Sequence, residues 1–319
     1  MPRIVITDCD HDTIEPELKV AAESGVDLVR ASCSDEDEVI AAAAEADGLI
    51  VQYAPITARV LDSLPRVKVV SRYGVGLDTV DLAAARSHGV QVYNVPDYGT
   101  EEVSDHAVAL ALSLLRGIPR LDRNMRAGNR DVTTVRPLHR LSTRTFGVIG
   151  LGLIGAATAR KALALGFTVL GHDPMVKTVP ESLRGVELLD LDDLLRRSDV
   201  VSLHVPLVPA TRYMLDARRL ELLGPEGAVV NTARGAVVDT EALTAALDDG
   251  RLGGAALDVT DPEVLPSAHP LFALPNVVLT PHAAWYSEEA FTELKHRTAA
   301  NAAAAVLGRP AEGQDQARP

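Results

Sequence analysis

Three polar residues stand where apolar runs end: Arg234 after "GAVVNTA", Glu263 in "LDVTDPEVLP" and His282 in "NVVLTPHAAW". An arginine guanidinium cannot lose its proton, so at the inner end of a core strand it needs an anionic partner or an aqueous cavity. A histidine can give and take a proton near neutrality, and a carboxylate against the imidazole fixes its tautomer and supports the charged form. Gathered together, these residue types could hold an anion and move one proton at an atom beside it. The turn that carries Glu263 also carries Asp261, a rival partner for the histidine.

A second constellation supplies a reactant. In "TFGVIGLGLIGAATARKALALGFTVLGHDP" a strand pattern runs into Gly150-x-Gly152-x-x-Gly155, a helix follows, and the next strand ends at Asp173. A bare glycine triplet is weak evidence, but strand–turn–helix with an acid about twenty residues on is the dinucleotide-binding arrangement. Gly150 permits the tight turn, Gly152 lets the backbone approach a pyrophosphate, and Gly155 allows close helix packing. Asp173 would bond a ribose diol and repel a 2′-phosphate; the nearby base, Lys177, is not at the strand end, so NAD is favoured over NADP. A hydride delivered to the carbonyl carbon of a 2-oxo acid leaves negative charge on the oxygen. His282 can give the proton that neutralises it, and Arg234 can clamp the substrate.

The elements that must position these residues form two series. Short apolar runs "RIVIT", "VDLVRA", "ADGLIVQ", "VKVVSRYG" and "GVQVYNV" alternate with helical patterns, and a second series starts after residue 144 with "TFGVIG", "FTVLGHD", "DVVSLHV", "GAVVNTA", "GGAALDV" and "NVVLTPH". This rhythm means βαβ units, and predicts an α/β chain of two doubly wound parallel-sheet domains in tandem. In an open parallel sheet the carboxyl ends of the strands form the ligand crevice, where Arg234, Glu263 and His282 could converge. Between the series, "GTEEVSDHAVALALSLLRG" specifies a long buried helix ending before Gly117. Residues 118–144 hold seven arginines in a Gly- and Pro-punctuated connection, either a solvated surface or an oligomer contact. The stretch "SEEAFTELKHRTAANAAAAVLG" reads as a final helix, and the polar tail after Gly308 is expected to lack order.

Composition narrows the classes. The 319 residues carry a net charge of −13 and 3% aromatics, which argues against a nucleic-acid binder. Cys9 and Cys33 read as reduced core thiols, and no His/Cys cluster has zinc spacing, so no metal is expected. No apolar run approaches the ~18 residues of a membrane span, and "MPRIVITDCD" enters a strand pattern without a leader, so the expected location is cytoplasmic.

On "VIGLGLIG", "VVNTARGAVVD", "GAALDVTDPEVLP" and "LTPHAAW" the sequence resembles the D-isomer-specific 2-hydroxyacid dehydrogenase family over nearly its full length. The resemblance implies an NAD-dependent oxidoreductase interconverting a 2-oxo acid and a D-2-hydroxy acid, with Arg234, Glu263 and His282 catalytic and His282 as acid/base. It implies interleaved domains: a flavodoxin-like substrate domain over 1–98 plus 288–319, and a Rossmann NAD-binding domain over 99–287. Beyond Gly150, Gly152, Gly155 and Asp173, the implied cofactor contacts are Leu153, Ile154, His204, Pro206, Thr211, Thr232 and Ala233, with Asp258 approaching the nicotinamide amide. The "RYGVGLD" segment matches the substrate loop, in which Val75 and Gly76 N–H groups would cradle a carboxylate within the set Arg72, Tyr73, Gly74, Val75 and Gly76. "PHAAWYSEEA" and Arg72 look most like the C-terminal-binding-protein branch, whose members are NAD-linked transcriptional corepressors. In that branch Trp285 would wall the substrate pocket, suiting an apolar or thioether side chain, and an NAD-regulated interaction protein is the alternative to an enzyme. A homodimer is implied as well.

Overall fold

The computed structural model describes residues 1–317. The chain divides into two compact units, Met1–Tyr98 together with the chain from Ser287 on, and Gly99–Tyr286. The second break falls one residue before the expected boundary. Ser287 belongs with the final helix because its hydroxyl accepts the Ala290 N–H as N-cap.

The first unit alternates β1 (Arg3–Ile6), α1 (Glu15–Ser24), β2 (Asp27–Arg30), α2 (Glu36–Ala42), β3 (Gly48–Val51), α3 (Ala58–Ser63), β4 (Val69–Arg72), α4 (Leu82–His88) and β5 (Gln91–Tyr93). Its five strands are parallel in the order β2-β1-β3-β4-β5, the flavodoxin-like arrangement. The central strands are short continuous apolar runs because helices cover both faces, leaving β3 and β4 fully buried. Asp35, Thr57 and Asp81 cap α2, α3 and α4 by accepting first-turn amides. The closing helix Glu288–Val306 packs on β3 and β4. A Cβ at Gly48 would lie 2.8 Å from a Val306 methyl, which accounts for glycine at that contact.

The tail departs from expectation. Gln316 N–H donates to the Val92 carbonyl at 2.7 Å, Asp315 accepts the Val92 N–H at 3.0 Å, and Arg86 Nε donates to the Ala317 carbonyl at 2.7 Å. Its order comes from β5, an edge strand whose unpaired peptide groups take this segment as their partner.

The second unit opens with α5 (Thr100–Leu115) and continues through α6 (Ile118–Arg126), β6 (Thr145–Ile149), α7 (Leu153–Ala164), β7 (Thr168–His172), β8 (Val186–Leu188), α8 (Leu191–Arg197), β9 (Val200–Leu203), α9 (Ala217–Leu223), β10 (Ala228–Asn231), α10 (Thr240–Asp248), β11 (Gly254–Leu257) and β12 (Val277–Leu279). The closing helix of the first unit is therefore α11. Seven parallel strands run β12-β11-β10-β9-β6-β7-β8, a Rossmann order that reverses direction at β6. The arginine-rich connection contains a helix that was not expected. Pro119 starts it, an Asp122–Arg126 ion pair one turn apart supports it, and none of its residues is buried.

Candidate active site

The cofactor turn lies between β6 and α7, at the switch point of the Rossmann sheet. Gly150 has φ +90°, and a Cβ there would meet the His204 carbonyl oxygen at 2.6 Å. A Cβ at Gly155 would fall 1.9 Å from the Gly150 carbonyl oxygen, so only glycine lets the helix seat on its own turn. Gly152 differs: a Cβ there meets nothing within 4 Å. Its role is an open approach for a ligand to the α7 N-terminus, where Leu153 is exposed and Ile154 half-buried and no side chain caps the helix. Asp173 follows β7 and pins the turn, one carboxylate oxygen accepting the Leu151 N–H at 2.8 Å and the other the Met175 N–H at 2.9 Å. Lys177 folds onto the Pro174 carbonyl at 2.8 Å, so it is not placed to meet a 2′-phosphate.

The cleft residues after β9 and β10 complete this surface. His204 Nε2 lies 2.9 Å from the Ser202 hydroxyl. Desolvation pushes the imidazole down to about 3, and although part of the residue's edge is accessible, its nitrogen faces Ser202 rather than water, so the ring is neutral. Thr211 closes the following loop by donating to the Pro206 carbonyl and accepting the Val208 N–H. The Thr232 hydroxyl oxygen is hidden and has no hydrogen-bond partner. An orphaned hydroxyl after β10, at the same carboxyl end of the sheet as the glycine turn after β6, fits a polar ligand such as a dinucleotide.

At the end of β10, buried Asn231 wraps the next turn around its amide, accepting the Ala233 N–H at 3.0 Å and donating to the Arg234 carbonyl at 2.9 Å. Asn231 escaped the sequence reading, although Asn three residues before a functional arginine is a turn signal. Gly235 lets this turn touch the next one, since a Cβ there would lie 1.9 Å from the Thr260 carbonyl oxygen. The Arg234 turn thus packs on the backbone that leads to Glu263.

Asp258 organises the third turn. Its carboxylate accepts the Thr280 hydroxyl at 2.5 Å, the Ala283 N–H at 2.9 Å and the Ala284 N–H at 2.9 Å, while its carbonyl accepts the His282 N–H at 2.8 Å. Because the Thr280 hydroxyl proton goes to Asp258, the Thr280 oxygen is left to accept from His106 Nε2, 3.1 Å away. Expected to face the nicotinamide amide, Asp258 spends its carboxylate on holding the turn. His282 there adopts φ +54°, a left-handed conformation that a non-glycine residue keeps only when its surroundings impose it. His282 Nδ1 and Glu263 Oε1 are 2.6 Å apart. The rival Asp261 is engaged elsewhere, accepting the Tyr213 hydroxyl at 2.7 Å. Trp285 is half-buried, edge-on to Tyr286 at 5.6 Å between ring centroids.

The loop after β4 belongs to the first unit. Gly74 has φ +105°, and a Cβ would lie 2.3 Å from Arg72 Nη1, so the buried guanidinium lies directly against the loop backbone. Val75 is exposed. Tyr73 corrects an expectation: grouped with the substrate contacts, its side chain is instead turned into the core. The ring is 2% exposed, and its hydroxyl donates to Glu17 Oε1 at 2.5 Å, which also pairs with buried Lys295 at 2.8 Å. Aromatic bulk is satisfied there by burial, with the polar tip bonded.

The family model for the D-isomer specific 2-hydroxyacid dehydrogenase NAD binding domain matches residues 108–284. The chain is 36% identical over 293 residues to D-3-phosphoglycerate dehydrogenase of Methanocaldococcus jannaschii, covering 91% of this chain and 55% of that protein. It is 39% identical over 251 residues to glyoxylate reductase of Korarchaeum cryptofilum, covering 77% and 75%. The chain spans about half the length of the phosphoglycerate dehydrogenases it matches. Among solved structures, D-lactate dehydrogenase of Aquifex aeolicus, complexed with NAD and lactic acid, superposes with a TM-score of 0.83 at 29% identity, covering 96% of each chain. The chain belongs to the D-isomer specific 2-hydroxyacid dehydrogenase family.

Proposed function

We propose that this chain is an NAD-dependent oxidoreductase that interconverts a 2-oxo acid and a D-2-hydroxy acid. The observation that carries the reading is the 2.6 Å contact between Glu263 Oε1 and His282 Nδ1. A carboxylate only accepts, so Nδ1 holds a proton and Nε2 is the atom left to exchange one with substrate. In reduction, protonated Nε2 gives its proton to the carbonyl oxygen as negative charge develops there, and in oxidation neutral Nε2 takes the hydroxyl proton. Glu263 keeps the imidazole oriented and balances the imidazolium. Arg234 clamps the substrate anion and polarises its carbonyl. Gly150–Gly155, Asp173 and the loop from His204 to Thr211, together with Thr232 and Ala233, would hold the nicotinamide cofactor, which would supply or accept the hydride. The Val75 and Gly76 amides, with Arg72, take the substrate carboxylate.

The finer kinship with the C-terminal-binding-protein branch is supported by "PHAAWYSEEA" and Arg72. With Trp285 beside the substrate, a 2-oxo acid with an apolar or thioether side chain is the preferred class. A homodimer through residues 118–144 is supported by the exposed Ile118, Met125 and Val132 on that connection. The net charge of −13 speaks against nucleic acid as a partner. Among the described residues no helix is long and apolar enough to cross a membrane, and Cys9 and Cys33 are free thiols, which supports a reducing cytoplasmic setting. The test is NADH oxidation, read by absorbance, across a broad panel of 2-oxo acids. At least one member is reduced; a protein that binds NADH and turns over none refutes the reading.

A further inference from the structure

The loop that carries the Val75 and Gly76 amides is held by the end of β5. Val95 N–H donates to the Gly74 carbonyl at 3.1 Å, and Asn94 Nδ2 donates to the Val75 carbonyl at 2.6 Å. A trans peptide is planar, so the N–H after each carbonyl points the opposite way. Anchoring the Gly74 carbonyl therefore turns the Val75 N–H away from β5, and anchoring the Val75 carbonyl does the same to the Gly76 N–H. Neither N–H has an acceptor among the described residues. Two adjacent donors aimed in one direction form an anion cradle.

One anchor is backbone, which any residue at 95 other than proline supplies. The other is a side chain. Asn94 is 7% exposed, and while its Nδ2 bonds Val75, its Oδ1 is hidden without a partner. A buried unsatisfied acceptor costs stability, so an apolar residue of similar volume would serve the core at least as well. What leucine could not supply is the donor to the Val75 carbonyl.

We propose that Asn94 is a positioning residue for substrate binding, whose amide fixes the Val75–Gly76 peptide so that the Gly76 N–H joins the Val75 N–H in the cradle. The proposal rests on the reading that this cradle takes the substrate carboxylate. The buried Tyr73–Glu17 hydrogen bond steadies the other end of the loop. Asn94 replaces a degree of freedom the glycines introduce, since Gly74 and Gly76 leave the intervening peptide easy to rotate.

The test is Asn94→Leu in the full chain, in three readouts. With a 2-oxo acid that the unsubstituted protein reduces, KM rises roughly tenfold, the loss of one hydrogen bond's worth of binding, with kcat less affected. The NADH Kd and Tm stay at the unsubstituted values, because neither the cofactor turn nor core packing changes. A KM that does not move, or one that rises only together with a lowered Tm and weakened NADH binding, makes Asn94 structural and overturns the proposal. Turnover-independent evidence comes from the crystal structure of the variant. A rotated Val75–Gly76 peptide supports the positioning role even if no 2-oxo acid is reduced, in which case the enzymatic reading fails on its own. An unrotated peptide overturns it.

Discussion

Two turns of the Rossmann unit, the one through Gly150–Gly155 after central β6 and the one through Thr280–Ala284 after edge strand β12, follow strands of the same sheet, yet they are shaped by opposite means. The first exists because side chains are missing: a Cβ at Gly150 or Gly155 would strike backbone oxygen at 2.6 or 1.9 Å. The second exists because side chains are present: the Asp258 carboxylate takes the Thr280 hydroxyl and the Ala283 and Ala284 N–H groups, fixing the turn on both sides of His282, which is left-handed. A turn made by omission holds whatever binds to its bare amides. A turn made by hydrogen bonds holds one side chain in one orientation, as proton transfer needs.

The largest expected effect separates the two uses of glycine within the first turn. Gly155→Val forces its Cβ into the Gly150 carbonyl, so the helix must lift from the turn. We expect a stability loss of about 3 kcal/mol, with NADH binding weakened at least a hundredfold. Gly152→Ala places its Cβ in open space at φ −66°. Tm should hold within about 2 °C while the NADH Kd rises around tenfold, by crowding the phosphate approach alone. Titration of NADH fluorescence with a parallel melting curve reads both; equal losses of Tm in the two variants would break the distinction.

A smaller effect probes the second turn. Asp258→Asn replaces one acceptor oxygen by a donor facing an amide or hydroxyl, so a charged hydrogen bond is lost. Such bonds are worth about 1.5–3 kcal/mol, which predicts a tenfold to hundredfold fall in kcat/KM as the His282 turn relaxes, with the NADH Kd little changed. If NADH affinity falls while kcat holds, Asp258 serves the nicotinamide amide and not the turn.

The same contrast explains how much was legible from the chain. Omission leaves a written trace: glycine at 150, 152 and 155 with an acid at 173, in a strand–turn–helix frame, fixed the place of the cofactor turn. The alternation of apolar runs with helical patterns likewise gave two parallel sheets, because strands covered on both faces must be continuously apolar. Hydrogen-bonded turns leave less. Asn231 and Asn94 act through bonds to backbone groups, and Thr280 through a bond to the Asp258 carboxylate; the partners come together only in the folded sheet, and such residues look like ordinary polar punctuation. Glu263 is preferred to Asp261 in the sequence on family resemblance, not on residue type, since two acids two residues apart look alike; in the structure Glu263 meets His282 and Tyr213 takes Asp261. Tyr73 is grouped with the substrate loop by resemblance, and a motif match does not say which of its side chains turns inward, here onto the Glu17–Lys295 ion pair. The tail past Gly308 was misjudged because its order comes from the open edge of β5, not from its own composition.

The most direct test of the central claim, that His282 Nε2 exchanges the proton while Glu263 and Arg234 serve it and the substrate, is the steady-state kinetics of His282→Ala with a 2-oxo acid the parent reduces. Removal of a general acid costs about 10²–10⁴-fold in rate, so kcat should fall by that factor while the NADH Kd and Tm stay near their original values. A variant that retains the parent's kcat would contradict the account.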